Sequence, residues 1–550
     1  MNHSWVKTLA VVLLLLFFAA STGSAYAADL QLYVKEPTAG QASPYPLGKS
    51  EPKFGALLGS TFDRDNNLNG TLSNVKSAYG KSYSSALIYV DWGEPIPYLI
   101  DDVTNNNASL QLSIEPNQGL QAVNDNQYLR QLARQLREFG NPVFLRFAGE
   151  MNGDWTAWGM QPELYKEKFR LVADVMHRDA PNVAMVWSPN YVPDDKLDSY
   201  YPGDAWVDWV GINGYADYYF VGNPQNDNAA WTWTKFYQGH KANPLTKFKK
   251  IYNAYSGKKP IMISETGVAW ANSRPYQVVD GWAAQTLKQV YGYIPLLYPR
   301  IKAVYYFNSG IPQDFSIYNV SQNSTMTQAY REAIASPYYL DTYNGQSPFY
   351  YCALGNRIYS EICDLACYVD AGETNITAVE YYVNGQFMGR STRIPWDISC
   401  RFPAGGGNAV VEARALNSAG AVVAHKSVKA SVPSSKSIKV TLDGQQLSFD
   451  EPPGMFNNRV MIPLRAVSEQ LGFQVSWDNN RKQATVQGNG TSMTILLDQQ
   501  QFIVNGQTRN PEVAGKLING RVLVPVRYIG ENLGLRVSWD AATNTAILTR

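Results

Sequence analysis

The stretch that decides the fold is residues 141–159, NPVFLRFAGEMNGDWTAWG. Its first half holds an almost continuous apolar run, Val143 to Ala148, of the length expected for a strand buried on both faces of a parallel sheet. Its second half is a polar loop that carries Glu150 between that strand and the aromatic residues Trp155 and Trp158. Parallel barrels keep their chemistry at the carboxyl ends of their strands. The stretch therefore predicts a strand that brings a carboxylate, beside sugar-sized aromatic surfaces, to a catalytic rim.

A second stretch, residues 259–267 (KPIMISETG), repeats this plan of an apolar strand, a glutamate (Glu265) and a glycine turn. A single glutamate at a strand end is most often an ordinary loop carboxylate. Two glutamates at the ends of different strands are what retaining glycoside hydrolysis requires, one as a proton donor and one as an ionised nucleophile. Such a pair predicts carboxyl groups about 5 to 5.5 Å apart, against roughly 6.5 to 9.5 Å in an inverting enzyme.

Both stretches resemble a known family. The first stretch resembles the acid/base signature of glycoside hydrolase family 26, in the residues Arg146, Glu150, Met151, Asn152, Gly153, Trp155, Trp158 and Gly159. Residues Ile263 to Gly267 resemble the nucleophile strand of the same family. The resemblance covers roughly residues 50 to 340 and implies that Glu150 is the acid/base, that Glu265 is the nucleophile and that β-mannan is the first substrate to expect. Family members commonly carry His directly before the acid/base, where this chain has Gly149. We expect the missing His to remove one substrate contact and to affect specificity more than reaction class.

The region 53–340 has the pattern of a (β/α)8 TIM barrel, with short apolar runs that alternate with helical patterns. Amphipathic helices are predicted at Asn126 to Phe139 and at Pro162 to His177. A doubly wound open sheet would favour a glycine-rich phosphate loop after its first strand, and no G-x-G-x-x-G occurs there. The eight predicted strands are Phe54 to Gly59, Ala86 to Asp91, Leu110 to Ile114, Val143 to Ala148, Val183 to Trp187, Trp209 to Ile212, Pro260 to Ser264 and Ala303 to Phe307.

Several polar or aromatic residues follow predicted strands and are therefore candidates for substrate binding at the rim. Glu115, a third carboxylate candidate, follows the third strand and could bind a sugar hydroxyl or compete for a catalytic role. Asn190 follows the fifth strand, and Arg146 and Asn152 could position Glu150 or the sugar hydroxyls. Family resemblance implies that Tyr215 hydrogen-bonds the nucleophile. Trp155 and Trp158 are candidates to bind a sugar ring beside Glu150. Trp231, Trp233 and Trp270 could stack on sugar rings or anchor loops by packing.

Composition and the amino terminus indicate an exported protein. Lys7, an apolar block from Leu9 to Ala20 and the A-x-A site Ala25-Tyr-Ala27 together predict a signal peptide at 1–27, followed by a lead-in at 28–52. The 47 basic and 46 acidic side chains give a formal charge of +1, which favours neither nucleic acid nor an acidic membrane as partner. No later stretch reaches the ~18 apolar residues of a spanning helix. The four His are scattered, so we expect no metal or other cofactor, and we expect a secreted or surface protein of a Gram-positive bacterium.

Residues 341–432 read as a small β-sandwich that resembles the immunoglobulin-like modules of bacterial glycosidases. All four cysteines, Cys352, Cys363, Cys367 and Cys400, fall in this region. In an exported chain they favour two disulfides, with three connectivities possible, over a zinc site.

Residues 433–550 contain an internal repeat with an offset of 62, since Arg459-Val-Met-Ile-Pro returns as Arg521-Val-Leu-Val-Pro and Trp477 returns as Trp539. The repeat resembles the amino-terminal domain of copper amine oxidases. It contains no His and no Cys, so copper does not follow from the resemblance. We expect a non-catalytic α+β module that serves either as a spacer or for cell-wall or surface attachment.

Two functions of different class follow. The leading hypothesis is a secreted retaining endo-β-glycanase acting on β-mannan or, second, on mixed-linkage β-glucan. The alternative is a surface protein whose barrel binds glycan without cleaving it. The presence of both Glu150 and Glu265 favours the enzyme, because a non-catalytic barrel would be free to lose either.

Overall fold

The structure, a computed structural model, describes residues 28–550 except 66–67, 98–99, 219–243, 275, 310–314, 356–358, 373–374, 403–406, 433–436, 498 and 500. The predicted signal peptide and the candidates Trp231 and Trp233 lie outside the described residues. Among the described helices, none is long and apolar enough to cross a membrane.

An eight-stranded parallel barrel forms the body of the molecule, as the sequence predicted. Its strands lie in the order β2-β11-β8-β7-β6-β5-β4-β3, with β13 as a ninth strand beside β2. The strands are fully or almost fully buried because they carry the apolar runs identified above. Their bounds are β2 (Ala56–Ser60), β3 (Ser85–Asp91), β4 (Ser109–Glu115), β5 (Val143–Phe147), β6 (Val183–Trp187), β7 (Trp209–Asn213), β8 (Ile261–Thr266), β11 (Ile301–Tyr306) and β13 (Tyr339–Leu340). Three short strands, β9 (Ala271–Ser273), β10 (Tyr276–Val278) and β12 (Ser316–Ile317), form a small sheet beyond the rim.

Helices between the strands cover the outside of the barrel. The two predicted helices are present, and Asn126 caps α3 because its side chain accepts a hydrogen bond from the backbone of Leu129. The helices of the barrel are α1 (Ser73–Tyr79), α2 (Ile100–Asn105), α3 (Gln127–Phe139), α4 (Pro162–Asp179), α5 (Pro244–Tyr255), α6 (Asp280–Leu297) and α7 (Ser324–Ile334).

The parallel register brings the residues of interest to one edge of the barrel. Asp91 lies opposite Glu115 at the ends of β3 and β4, and Asn213 lies opposite Glu265 at the ends of β7 and β8. The carboxyl ends of parallel strands share one rim, so loops that follow these strands meet above the barrel.

A β-sandwich follows the barrel and includes a strand that the sequence analysis did not assign to it. The strand β1 (Asp29–Pro37) lies between β14 and β15 in an antiparallel sheet, so describing 28–52 as a lead-in was wrong for these residues. The sheets are β14-β1-β15-β18 and β17-β16-β19-β20. Their strands are β14 (Phe349–Ala353), β15 (Ile362–Asp370), β16 (Ile376–Val383), β17 (Gln386–Ser391), β18 (Ile398–Arg401), β19 (Gly407–Asn417) and β20 (Val422–Val432).

The cysteines of the sandwich do not form the two disulfides that we predicted. Cys367 and Cys400 are thiols. Cys352 lies opposite Val34 and Cys367 opposite Leu32, so the two cysteines are two strand spacings apart across β1 and two residues apart along it. Their Cα atoms are therefore about 12 Å apart, beyond the reach of a disulfide. Burial raises the pKa of both the Cys367 and the Cys400 thiol, so neither is a reactive thiolate. Within the described ranges, no group of three or more His, Cys, Asp or Glu could hold a metal ion.

The carboxyl-terminal domain shows the predicted repeat. Its two halves carry a strand and short helix at the same offset of 62, β24 (Arg459–Pro463) with α8 (Leu464–Gln470), and β31 (Arg521–Pro525) with α9 (Val526–Asn532). This domain packs on the sandwich through buried ion pairs, Lys516 with Asp364 and Arg401 with Glu451. Its other strands are β21 (Lys439–Leu442), β22 (Gln445–Gln446), β23 (Gly454–Phe456), β25 (Gln474–Asp478), β26 (Gln483–Gly488), β27 (Thr491–Leu496), β28 (Gln501–Val504), β29 (Gln507–Arg509), β30 (Lys516–Ile518), β32 (Arg536–Asp540) and β33 (Thr545–Thr549).

Candidate active site

Glu150 lies on the turn after β5, where the backbone leaves the strand with positive φ at Ala148 and at Glu150 itself. Its Oε1 accepts hydrogen bonds from Nδ2 of Asn190 and Nδ2 of Asn213, each at 2.7 Å. Its Oε2 accepts a 2.7 Å hydrogen bond from Nε1 of Trp155. These three donors fix the orientation of the Glu150 carboxyl group. The Trp155 ring beside it is 45% exposed.

Glu265 lies within β8 and is 9% exposed. Its Oε2 accepts hydrogen bonds from Nη1 of Arg146, at 2.8 Å, and from the hydroxyl of Tyr89. Its Oε1 accepts a hydrogen bond from the hydroxyl of Tyr215. Burial, followed by the charge of Glu265, holds the pKa of both tyrosines well above the usual value, so both stay protonated donors. One cation and two hydroxyls therefore fix the orientation of the Glu265 carboxyl group.

Asn213 connects the two glutamates. Its Cα lies opposite that of Glu265 in the β7–β8 register, and its side chain donates to Glu150. Asn190 is bridged to Asn213 in the same rim and donates to the same oxygen of Glu150. The two carboxyl groups that are 115 positions apart in the chain, 265 minus 150, therefore face one site.

Arg146 is the central cation of the site. It is 3% exposed, and besides Glu265 it contacts Oγ of Ser113 at 3.4 Å. Burial alone would lower the pKa of Arg146, but the negative charges of Glu265, Glu150 and Glu115 raise it above the usual value. Arg146 therefore stays charged and balances three carboxyl groups.

Glu115 ends β4 on the same side of the rim as Arg146. Burial raises the pKa of the Glu115 carboxyl to about 7, opposed by the charge of Arg146 and reinforced by that of Glu265. Near neutral pH the Glu115 carboxyl group is present in both its neutral and its charged form. The neutral form can donate a hydrogen bond to a sugar hydroxyl, and either form can accept one from it.

Three predicted sugar contacts do not face the cleft. Asn152 is buried and bonds the backbone of Asn190 and Pro193, so it holds the loop that carries Asn190. Trp158, 5% exposed, donates to the backbone oxygen of Gly149, and Trp270, 6% exposed, donates to that of Asn319. Both tryptophans anchor loops. For Trp270 this is the alternative left open by the sequence, and for Trp158 it differs from the predicted sugar contact.

The sequence analysis missed three residues of the site. Tyr89 lies inside a strand and reads there as a core aromatic, and Asn213 reads as an ordinary polar residue at a strand end. Arg64 lies in the loop after β2, with its guanidinium carbon 4.4 Å from the centre of the Tyr89 ring and 6.0 Å from that of Phe307. The alternation of side chains in β3, which turns Tyr89 towards the barrel axis, is the signal that could have found the first of them.

A (β/α)8 barrel with two glutamates that face one site on its carboxyl rim has the layout of a glycoside hydrolase. The particular family follows from the sequence. Residues 102–300 match the model of glycosyl hydrolase family 26, and residues 441–548 match that of the copper amine oxidase N-terminal domain. The chain therefore contains a family 26 glycoside hydrolase domain and, after it, a domain like the amino-terminal one of copper amine oxidases.

Curated relatives carry similar sequences. Endoglucanase H of Acetivibrio thermocellus is 24% identical over 303 residues, 52% of this chain and 30% of that protein. Beta-1,3-xylanase TXYA of a Vibrio species is 34% identical over 181 residues, 32% of this chain and 33% of that protein. A mannan endo-1,4-beta-mannosidase of Bacillus subtilis is 34% identical over 94 residues, 15% of this chain and 25% of that protein. The chain thus spans about a third or less of the length of these relatives.

Among solved structures, a GH26 beta-mannanase from Bacteroides ovatus is similar to this chain, with 15% sequence identity and a TM-score of 0.38. The match covers 53% of this chain and 92% of the mannanase chain.

Proposed function

We propose that this protein is a secreted, retaining endo-β-glycanase that cleaves the β-linked backbone of a polysaccharide. The observation that carries the proposal is the convergence of Glu150 and Glu265 on one rim, each held by three donors and connected through Asn213. Residues that only bind a neutral glycan would not need a nucleophilic carboxylate buried against an arginine.

The reaction is a double displacement. Glu150 gives its proton to the glycosidic oxygen while the Glu265 carboxylate attacks the anomeric carbon, so the bond to the leaving sugar breaks and a glycosyl ester forms. Glu150, now ionised, takes a proton from water, and the water attacks the same carbon and releases Glu265. Arg146, Tyr89 and Tyr215 stabilise the negative charge that returns to Glu265 in this second step.

The substrate order is β-mannan first and mixed-linkage β-glucan second. The names of the relatives support a β-glycan, since they comprise an endoglucanase, β-1,3-xylanases and mannan endo-1,4-β-mannosidases. Because the longer matches are to the endoglucanase and the β-1,3-xylanases, a decisive substrate panel also contains β-1,3-xylan. Trp155, exposed beside Glu150, offers a ring on which the leaving sugar can stack.

A reducing-sugar assay of the wild type and Glu265→Ala on these polysaccharides tests the proposal. We expect release from at least one substrate by the wild type, a loss of at least ~1,000-fold in the variant, and mid-length products early in the reaction, as an endo mode requires. Equal background release from both proteins on every substrate would favour the non-catalytic glycan-binding alternative.

We also infer that the carboxyl-terminal domain attaches the enzyme to a cell wall or surface. Its buried ion pairs with the sandwich support a fixed rather than a swinging attachment. Cosedimentation of the full chain with purified Gram-positive cell walls tests this proposal, with a chain that ends at Val432 as control. Equal sedimentation of both would remove the attachment role.

A further inference from the structure

Arg64 is held on the rim by stacking on two aromatic rings. Its guanidinium carbon lies 4.4 Å from the centre of the Tyr89 ring and 6.0 Å from that of Phe307, and these rings pack edge to face with their centres 6.5 Å apart. In the described part of the chain, no residue accepts a hydrogen bond from Arg64 or forms an ion pair with it. The stack therefore orients the guanidinium and leaves its N–H groups available to a ligand.

Glu115, at the end of β4, also has an unused hydrogen-bonding group on this part of the rim. Its backbone oxygen accepts a hydrogen bond from Trp92, but within the described ranges no residue donates to its carboxyl group. Burial raises the pKa of that carboxyl, and the positive charges of Arg146 and Arg64 oppose the rise. Arg64 is thus close enough to Glu115 for its charge to act on it.

The other polar side chains of the site bond one another. They form two groups, which are Glu150 with Asn190, Asn213 and Trp155, and Glu265 with Arg146, Tyr89 and Tyr215. Arg64 and Glu115 differ from them, since both are partly buried and neither has its hydrogen bonds supplied by the described protein groups. Partly buried polar groups without partners cost free energy, so a ligand with hydroxyl groups that satisfies both of them gains affinity.

The position of this pair on the rim indicates which part of a glycan it meets. Arg64 and Glu115 follow β2 and β4, whereas Glu150 and its asparagine donors belong to the ends of β5, β6 and β7. In a double displacement, the sugar that becomes esterified to the nucleophile extends away from the leaving sugar. With the leaving sugar beside Trp155, the retained sugars lie over the ends of β2, β3 and β4.

We propose that Arg64 and Glu115 bind the retained sugars, on the non-reducing side of the cleaved bond. This rests on the proposed glycanase function and deepens it. The ligand is a neutral sugar unit with two free hydroxyl groups, one that accepts a hydrogen bond from the guanidinium and one that donates to the carboxyl group. No hydrogen bond joins Arg64 to either catalytic glutamate among the described residues, so its loss raises KM more than it lowers kcat.

The experiment compares Arg64→Met with Arg414→Met on the best substrate of the panel. Methionine keeps an unbranched apolar side chain over the ring but lacks the charge and the donors. Arg414 is the matched control, because its guanidinium also stacks on a tyrosine, Tyr382, at 4.1 Å, but in the sandwich. We expect Arg64→Met to raise KM roughly 10- to 100-fold, the effect of losing hydrogen bonds from a charged group, with kcat and melting temperature nearly unchanged. Arg414→Met should keep the KM of the wild type, and Arg64→Lys, which keeps the charge, should recover part of the loss.

A binding measurement separates this proposal from the proposed function. Isothermal titration calorimetry of Glu265→Ala with manno-, mixed-linkage gluco- and β-1,3-xylo-oligosaccharides gives the affinity without cleavage. We expect the best of these ligands to bind at least ~10-fold more weakly when Arg64→Met is added to Glu265→Ala. Glu115→Ala in the same background should also weaken binding.

The proposal is overturned if either Arg64 or Glu115 can be removed without loss of affinity, or if no oligosaccharide binds. It is also overturned if Arg64→Met lowers kcat and the melting temperature at unchanged KM, as expected for a residue that only supports the Tyr89 ring. An inactive wild type that still binds an oligosaccharide would instead remove the glycanase function, and the affinity comparison would still decide the role of Arg64.

Discussion

Asn213 donates its side-chain amide to Oε1 of Glu150 at 2.7 Å, while its Cα lies opposite that of Glu265 in the next strand. One side chain thus sets the placement of the proposed acid/base relative to the strand of the proposed nucleophile. The consequences can be tested by substitution.

We expect Asn213→Asp to lower kcat/KM more than Asn213→Ala does. The new carboxylate would lie where the amide now donates to Glu150, so it would replace a hydrogen-bond donor by a like charge. Asn213→Ala, which only removes the donor, should lower kcat/KM roughly 10- to 100-fold. Equal losses for the two variants in steady-state kinetics would show that Asn213 does not act through the charge of Glu150.

We expect Tyr215→Phe to reduce kcat roughly 10- to 100-fold with little change in melting temperature, because it removes one donor from Glu265 and keeps the ring. Tyr83→Phe is the control, since its buried hydroxyl bonds Tyr330 away from the glutamates. Steady-state kinetics of both variants check this. Equal effects would mean that Tyr215 contributes packing only.

Glu115 should make the stability of the protein depend on pH. Its pKa is raised from 4.5 to about 7 on folding, so between these values the folded state binds more protons than the unfolded state. Stability is therefore lost as pH rises from about 4.5 to 7, by at most roughly 3 kcal/mol. Glu115→Gln should match the wild type near pH 4.5 and exceed it at pH 8 in urea unfolding. A gain of the same size at both pH values would contradict the raised pKa.

The ion pair of Lys516 and Asp364 should be essential to the packing of the carboxyl-terminal domain. Both side chains are at most 8% exposed, and removing one partner of such a pair costs about 3–5 kcal/mol. Arg527→Ala, which breaks an exposed pair with Glu531, should cost less than about 0.5 kcal/mol. Calorimetry of Lys516→Ala and Arg527→Ala measures both effects, and comparable small losses would mean that water reaches the buried pair.

The barrel and the pair Glu150 and Glu265 could be predicted because each strand is an apolar run that ends in turn or polar residues. The sandwich could be predicted only in part. Val34 in β1 pairs with Cys352, 318 positions further on, and no local pattern specifies so distant a partner.

The directions in which side chains point at the site could not be predicted from the sequence either. Trp158 and Trp155 are three residues apart in one loop, yet one anchors the backbone and the other faces solvent beside Glu150. Trp158 is the anchor because the folded turn places the carbonyl oxygen of Gly149 within hydrogen-bond reach of its Nε1. The sequence alone does not give that position. Tyr89 was missed for the same reason, because its role depends on a glutamate in another strand.

The most direct test of the paired glutamates is mass spectrometry after incubation with an activated 2-deoxy-2-fluoro glycoside of the preferred sugar, which accumulates the glycosyl ester. We expect one added glycosyl group, located on Glu265 after proteolysis, and none on Glu265→Ala. An active wild type that carries no label, or carries it on another residue, would contradict Glu265 as the nucleophile.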